Sequence, residues 1–223
     1  LADEGDASPT KRLADLADYR SDLAAISQNA PPSPRWAGVF NPLAGVLKKF
    51  NLPMALLTDL LSAFEQDVTQ HSYLDRPDLL NYCRRSANPV GRLLLHLYGV
   101  SDERSLRQSD AICTALQLAN FWQDLSVDLQ RGRLYLPLAD CVRHGVTPDT
   151  IRSRQDSPGV RALLAEVVAW TRSLMIEGAP LVHTIPGRAG WELRLVVQGG
   201  LRILGRVERL RFAVMQQLPV LRW

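Results

Sequence analysis

The chain has 223 residues, of which 46% are hydrophobic and 22% charged, with a formal net charge of +3. Such a length and composition suit one globular domain of moderate to large size. The charge is small and carries no block of consecutive basic residues, which excludes an electrostatic nucleic-acid binder and leaves an anionic small molecule or an anionic membrane surface as partner.

Cys83, Cys113 and Cys141 are widely spaced, odd in number and form no CxxC pair. Neither a disulfide framework nor a zinc site is indicated, and small buried hydrophobes in a reducing cytoplasm are expected. The longest apolar stretches, such as Leu93-Leu94-Leu95 and Ala162 to Trp170, are too short or too interrupted to span a bilayer. The chain starts at Leu1 without a signal peptide or an initiating methionine.

In chain order, Lys11 to Ile26 places Leu13, Leu16, Ala17, Tyr19, Leu23 and Ile26 on a roughly helical period. Asn29 to Arg35 is a proline-rich break. Pro42 to Phe50 and Pro53 to Gln70 are predicted helices, with Pro53 suited to a first turn. After a break near Asp75-Arg76-Pro77, Asp78 to Tyr98 is predicted as one helix kinked by Pro89, with Gly99 as its C-cap. Arg104 to Gln130 carries the strongest helical pattern. Arg131-Gly132 ends it, and Arg133 to Leu138 is a short extended connector. Asp149 to Arg154 is predicted as one or two turns, followed by long helices over Pro158 to Ile185 and Gly190 to Gln217. No useful length of apolar–polar alternation occurs, so the expected class is all-α.

The informative stripe lies in the central helix. Asn120, Asp124 and Asp128 are spaced by four, and each step of four advances a helix by only about 40° past a full turn. The three oxygen-bearing side chains share one face, with Gln117 about one turn before them. Two carboxylates and an amide on one stripe repel unless a cation neutralises them. All are hard oxygen ligands suited to Mg²⁺, which completes its shell with water and substrate phosphate. Arg131 and Arg133, directly downstream, are cations able to hold a diphosphate. The competing reading is a solvated acidic helix face. Asp3-Glu4-Gly5-Asp6 at the start is a second acidic cluster, by itself compatible with a frayed terminus.

Asn120-(x)3-Asp124-(x)3-Asp128, followed by Arg131-Gly132-Arg133-Leu134-Tyr135-Leu136-Pro137, resembles the second aspartate-rich motif of the squalene/phytoene synthase family. Tyr82-Cys83-Arg84-Arg85-Ser86-Ala87-Asn88-Pro89-Val90-Gly91 resembles that family's Tyr-Cys…Val-Gly substrate helix. Ala2-Asp3-Glu4 looks like the tail of its first aspartate-rich motif, with Asp3 as the last aspartate. The resemblance covers essentially the whole chain as a single domain, 1–223. It implies that the family's N-terminal helical segment is missing here.

The resemblance implies an all-α isoprenoid synthase fold, a helical bundle around a central cavity. It implies Mg²⁺ held by Asp3, Asn120, Asp124 and Asp128. Asp3, Asp124, Asp128 and Tyr82 would carry catalysis, and Ser86, Asn88, Gln117, Arg131, Arg133 and Tyr135 would bind an isoprenoid diphosphate. Phe64, Leu79, Leu94 and Leu118 are candidate cavity walls. Tyr82 and Tyr135 could offer π-faces to a carbocation, although each taken singly reads first as plain core. His71, His96, His144 and His183 show no ligand spacing.

Three features look like the bacterial hopanoid-pathway branch, hydroxysqualene synthase, which converts presqualene diphosphate with water. These are Asn88-Pro89 in place of a small pair, Phe121-Trp122-Gln123 before Asp124, and no tyrosine near Gly200. Gln216-Gln217 departs from that branch, where arginines are usual. A condensing enzyme joining two prenyl diphosphates and a non-catalytic assembly relative are the rivals. Peripheral contact with the inner membrane and with other squalene-pathway enzymes is expected, and nucleic acid is not. Ser86 or Asn88 would hold the reacting water, unless Ser86 bonds back to the Tyr82 carbonyl and Asn88 merely accommodates the kink.

Overall fold

The structure, a computed structural model, describes residues 7–217 and Pro219. Its elements are α1 (Pro9–Ser27), α2 (Ala37–Phe50), α3 (Met54–Thr69), α4 (Arg76–Ser86), α5 (Asn88–Leu97), α6 (Glu103–Gln123), α7 (Leu125–Gln130), α8 (Leu138–Arg143), α9 (Pro148–Arg152), α10 (Pro158–Gly178), a 3₁₀ turn (Ala179–His183) and α11 (Gly187–Arg209). Among the described residues the sole extended pairing is a bridge between Ser72 and Leu134, and the chain is all-α as its periodicity predicts.

Helix starts follow local capping chemistry. Ser8, Asp75, Asp102, Thr147 and Ser157 each accept a backbone N–H three residues on with a side-chain oxygen, satisfying one orphan donor of the first turn. α2 begins five residues before the predicted Pro42, which lies inside it. The earlier start buries Phe40, which packs edge-on against Tyr19 at 5.1 Å. Pro42 forfeits a bond to the Gly38 carbonyl, and Gly38 is exposed, so water can take that bond.

The predicted kinked helix from Asp78 to Tyr98 starts earlier, at Arg76, and is two helices. Pro89 lacks an N–H and its ring opposes the carbonyl four residues back, so the ladder breaks and Ala87 caps both pieces with φ −115° and ψ −48°. The predicted helix from Arg104 to Gln130 is likewise bent rather than continuous. Asp124 leaves helical geometry with φ −96° and ψ 12°, yet its N–H still reaches the Asn120 carbonyl at 2.8 Å, and Asp128 N–H reaches the Asp124 carbonyl at 2.9 Å. The spacing-of-four stripe therefore survives the bend. α8, which starts at the last residue of the predicted connector and runs on through residues given no predicted element, is a six-residue helix.

α6 is the axis of the molecule, with α10, α5 and α11 packed around it. α10 ends where Gly178 presses on α6. A Cβ there would lie 2.6 Å from the Gln108 carbonyl oxygen, so only glycine permits that approach. The main core runs between α6 and α10 through Leu118, Trp122, Leu163, Leu164 and Val167, all fully buried. Each such side chain contributes about 1.5–3 kcal/mol by leaving water. A second core joins α1, α2 and α3 through Leu16, Leu23, Phe40 and Leu61. The site lies where these two cores meet.

Candidate active site

A cavity of about 740 Å³ opens between α1, α3, α4, α6, α7 and the connector after α7. That volume lies within the range of about 300–1,000 Å³ usual for organic ligands. Asn120 and Arg131 are exposed and mark its rim, while Leu16 and Leu61 are buried and mark its floor. Gln117, Asn120, Asp124, Asp128, Arg131, Arg133, Tyr82, Ser86 and Tyr135 all line it. Residues singled out on spacing and motif thus come together around one space, from α4, α6, α7 and the connector.

Asp128 is buried and Asp124 half-buried. Burial pushes the Asp124 carboxyl up, and Arg131 partly opposes the shift. Among the described residues no three His, Cys, Asp or Glu side chains converge as a complete metal cage. The donor set is two carboxylates, an amide and adjacent guanidinium groups. This fits Mg²⁺, which takes one or two carboxylates and fills its shell with water and phosphate oxygens. Asp3 lies outside the described residues.

The connector is fixed by backbone pairing rather than by a helix. Leu134 N–H donates to the His71 carbonyl at 2.8 Å, Leu138 to Tyr73 at 3.0 Å and Ala139 to Leu74 at 2.9 Å. These bonds tie 133–139 to 71–74 and bury Tyr135 against Phe121, ring centroids 3.7 Å apart and 4° from parallel. Tyr73 and Tyr82 extend this aromatic cluster, at 5.4 Å from each other and 5.7 and 6.3 Å from Tyr135; Tyr82 lines the cavity and Tyr73 is core.

One carboxylate in this cavity was not singled out by the sequence. Asp67 of α3 lines it, and Tyr82 Oη donates to Asp67 Oδ1 at 2.6 Å. Burial first, and then Asp67, push the Tyr82 phenol far above its ordinary value, so it stays a neutral donor. The available signal was Asp67 three residues after Phe64, at the edge of the apolar face formed by Leu61 and Val68.

Ser86 Oγ is buried and has no hydrogen-bond partner among the described residues, so it does not bond back to the Tyr82 carbonyl. Asn88 is corrected: it lies outside the cavity, buried between α5 and α6, where Oδ1 accepts from Thr114 Oγ1 at 2.9 Å. The break at Ala87 turns it away from the Ser86 face. Of the wall candidates, Phe64 lines the cavity, Leu79 and Leu118 lie in the core beneath it, and Leu94 is exposed on α5. Leu61, Leu16 and Phe121 supply the apolar wall instead. His71, His96, His144 and His183 all lie away from the cavity; His144 pairs with Glu166 at 2.7 Å. Gln216 donates to the Arg154 carbonyl at 3.1 Å and contributes nothing to the cavity lining.

The family profile described as squalene/phytoene synthase matches residues 1–223. A hydroxysqualene synthase of Rhodopseudomonas palustris is 34% identical over 69% of this chain and 53% of its own length. A phytoene synthase of Thermus thermophilus is 31% identical over 77% of this chain and 57% of its own. The chain spans about half the length of these curated relatives. The crystal structure of the squalene synthase HpnC from Alicyclobacillus acidocaldarius superposes with a TM-score of 0.86 at 37% identity, over 95% of this chain and 78% of that one. A dehydrosqualene synthase superposes with a TM-score of 0.78 at 23% identity, over 91% and 71%, and shares the isoprenoid synthase fold.

Proposed function

Because the chain belongs to the squalene/phytoene synthase family, we propose that it ionises an isoprenoid diphosphate, presqualene diphosphate, and directs water onto the resulting carbocation to give hydroxysqualene and diphosphate. The observation that carries this reading is the Ser86 hydroxyl, a polar group buried without a partner among the described residues, on a cavity whose wall includes Leu16, Leu61, Phe64, Tyr82, Phe121 and Tyr135. A condensing enzyme must exclude water from its cation. A hydroxylating one needs a group of this kind to hold a single water.

The residues divide the work by position. Asn120, Asp124 and Asp128 would hold Mg²⁺ at the rim, where the ion supplies Lewis-acid neutralisation of the leaving diphosphate. Arg131 and Arg133 bind the diphosphate oxygens and absorb charge as the carbon–oxygen bond breaks. Leu16, Leu61 and Phe64 line the hydrocarbon space and keep stray water out. Tyr135 and Tyr82 present ring faces and edges to the cation. Ser86 holds the attacking water on one face.

The 32% identity to a presqualene diphosphate synthase of Rhodopseudomonas palustris, together with the phytoene synthase match, makes a head-to-head condensing enzyme the second reading. Peripheral membrane association belongs to the proposal, since substrate and product are long hydrocarbons. No described helix is long and apolar enough to cross a membrane. Flotation with anionic vesicles at low and high salt tests that part.

The deciding experiment incubates the full-length protein with presqualene diphosphate, and separately with farnesyl diphosphate, in Mg²⁺. Hydroxysqualene from the first supports the reading. Consumption of farnesyl diphosphate alone makes the protein a condensing enzyme.

A further inference from the structure

Capture of a carbocation by water leaves a protonated alcohol, and the surplus proton must go to a base before the product is stable. In a cavity walled by aromatic and aliphatic groups, that base has to be built in. Three described carboxylates line the space. Asp124 and Asp128 stand on the stripe beside Arg131, at the end assigned to the metal and diphosphate. The third, Asp67, enters from α3, a different helix, and is held against Tyr82 at 2.6 Å with the phenol as donor. Tyr82 and Ser86 are one turn apart on the same face of α4, and both line the cavity.

Resting on the hydration reading above, we propose that Asp67 is the proton acceptor of the hydration step, reached through the Tyr82 hydroxyl from a water held at Ser86. The step balances. The water oxygen forms a bond to the cationic carbon. The new oxonium gives one proton to Tyr82 Oη as Tyr82 Oη gives its own to Asp67 Oδ1. The alcohol leaves neutral, Tyr82 is unchanged, and Asp67 has gained one proton. That proton then departs to solvent or to the leaving diphosphate at the rim. Tyr82 cannot serve as the base by itself, because burial keeps its phenol protonated. It is a relay, and the carboxylate behind it sets the direction of transfer.

The test uses the full-length protein with presqualene diphosphate and Mg²⁺, and measures diphosphate release and product identity separately. Removal of a positioned base costs about 10²–10⁴ in the step it serves. Asp67→Asn is therefore expected to release diphosphate at a rate within several-fold of the parent protein, while the alcohol share falls at least about tenfold in favour of eliminated or rearranged hydrocarbon. Tyr82→Phe, which cuts the relay and leaves Asp67 in place, is expected to shift products the same way. Asp67→Glu, which keeps the carboxylate, is expected to restore part of the alcohol. The solvent deuterium isotope effect on the alcohol-to-hydrocarbon ratio should be present in the parent and lost in Asp67→Asn, which a merely structural role would not produce. An unchanged alcohol share in Asp67→Asn, with helical circular dichroism intact, overturns the assignment. Loss of that dichroism in Asp67→Asn moves the decision to Tyr82→Phe, whose unchanged alcohol share overturns it equally. If the parent protein itself makes no alcohol from presqualene diphosphate, it is the hydration reading that fails.

Discussion

The indole N–H of Trp122 donates to Thr171 Oγ1 at 2.7 Å, and Thr171 passes the chain on to the Val167 carbonyl at 2.8 Å. Both side chains are fully buried, so this relay ties α6 to α10 where no water can substitute. Phe121, the preceding residue, faces the cavity. The two neighbours thus anchor opposite sides of the helix on which the Asn120, Asp124 and Asp128 stripe begins.

Thr171→Val keeps the shape and removes the acceptor, stranding a buried indole donor. A stranded donor costs about 1–3 kcal/mol. Urea unfolding should show a lower midpoint with an unchanged slope. A midpoint equal to that of the parent would mean that the indole finds another acceptor and that the relay does not hold α6.

For Asp124, the direction of the pKa shift sets the sign of a second expectation. Burial raises the folded-state pKa above the ordinary carboxylate value. The folded chain then holds that proton more tightly than the unfolded chain does. The charged form costs stability above the raised pKa, and the cost fades as pH falls through it. In EDTA at pH 7, Asp124→Asn is expected to unfold at the same midpoint as the parent or a higher one, and to lose any advantage below the ordinary carboxylate range. Its turnover with Mg²⁺ should fall by about 10²–10³. A clear loss of stability at pH 7 would make Asp124 a structural residue.

Much of this site was legible because a spacing of four is a local property. Asn120, Asp124 and Asp128 needed only helical geometry to share a face, and they keep it through the bend at Asp124. The extended connector after Gly132 was equally local. What sequence could not show was the far side of each contact. Asp67 and Glu65 are equivalent acidic residues of α3 in sequence, yet Glu65 pairs with Arg20 at 2.8 Å while Asp67 meets Tyr82 in the cavity. Leu79, Leu94 and Leu118 are alike as hydrophobes, and only the packing of α4, α5 and α6 sends two to the core and one to solvent. Pro42 inside α2 shows burial of Phe40 overriding a local breaker.

The rim makes a third expectation. Inorganic diphosphate should bind in Mg²⁺ and lose most of its affinity in EDTA, because metal-bridged oxygens and the Arg131 and Arg133 guanidinium groups act on the same ligand. Asp128→Asn should reduce the Mg²⁺-dependent part. Arg131→Gln should weaken binding in both conditions. Titration calorimetry on the full-length protein measures each arm. Equal affinity with and without EDTA would remove metal bridging and leave the arginines alone as the diphosphate site.

The last expectation separates two neighbours that the sequence offers as alternative holders of the reacting water, with Ser86 favoured on helix geometry. Ser86 and Asn88 are two residues apart, but the break at Ala87 sends them to different environments. Ser86 lines the cavity and its buried Oγ has no hydrogen-bond partner among the described residues; Asn88 Oδ1 is engaged by Thr114 in the α5–α6 interface. Ser86→Val removes the only feature by which that residue could hold water and leaves its volume nearly unchanged. One hydrogen bond is worth about 1 kcal/mol, so the alcohol-to-hydrocarbon ratio should fall by roughly threefold to tenfold while substrate consumption and the unfolding midpoint stay near the parent values. Ser86→Val could even stabilise the fold, since it retires a buried hydroxyl that has no partner among the described residues. Asn88→Ala should behave in the opposite way. It leaves the Thr114 hydroxyl without its acceptor and opens a small void, for a cost of about 1–3 kcal/mol, with the product ratio unchanged. Product analysis by gas chromatography alongside urea unfolding reads both variants on both axes. A product shift in Asn88→Ala with none in Ser86→Val would reverse the assignment and place the reacting water on the α5 side of the break.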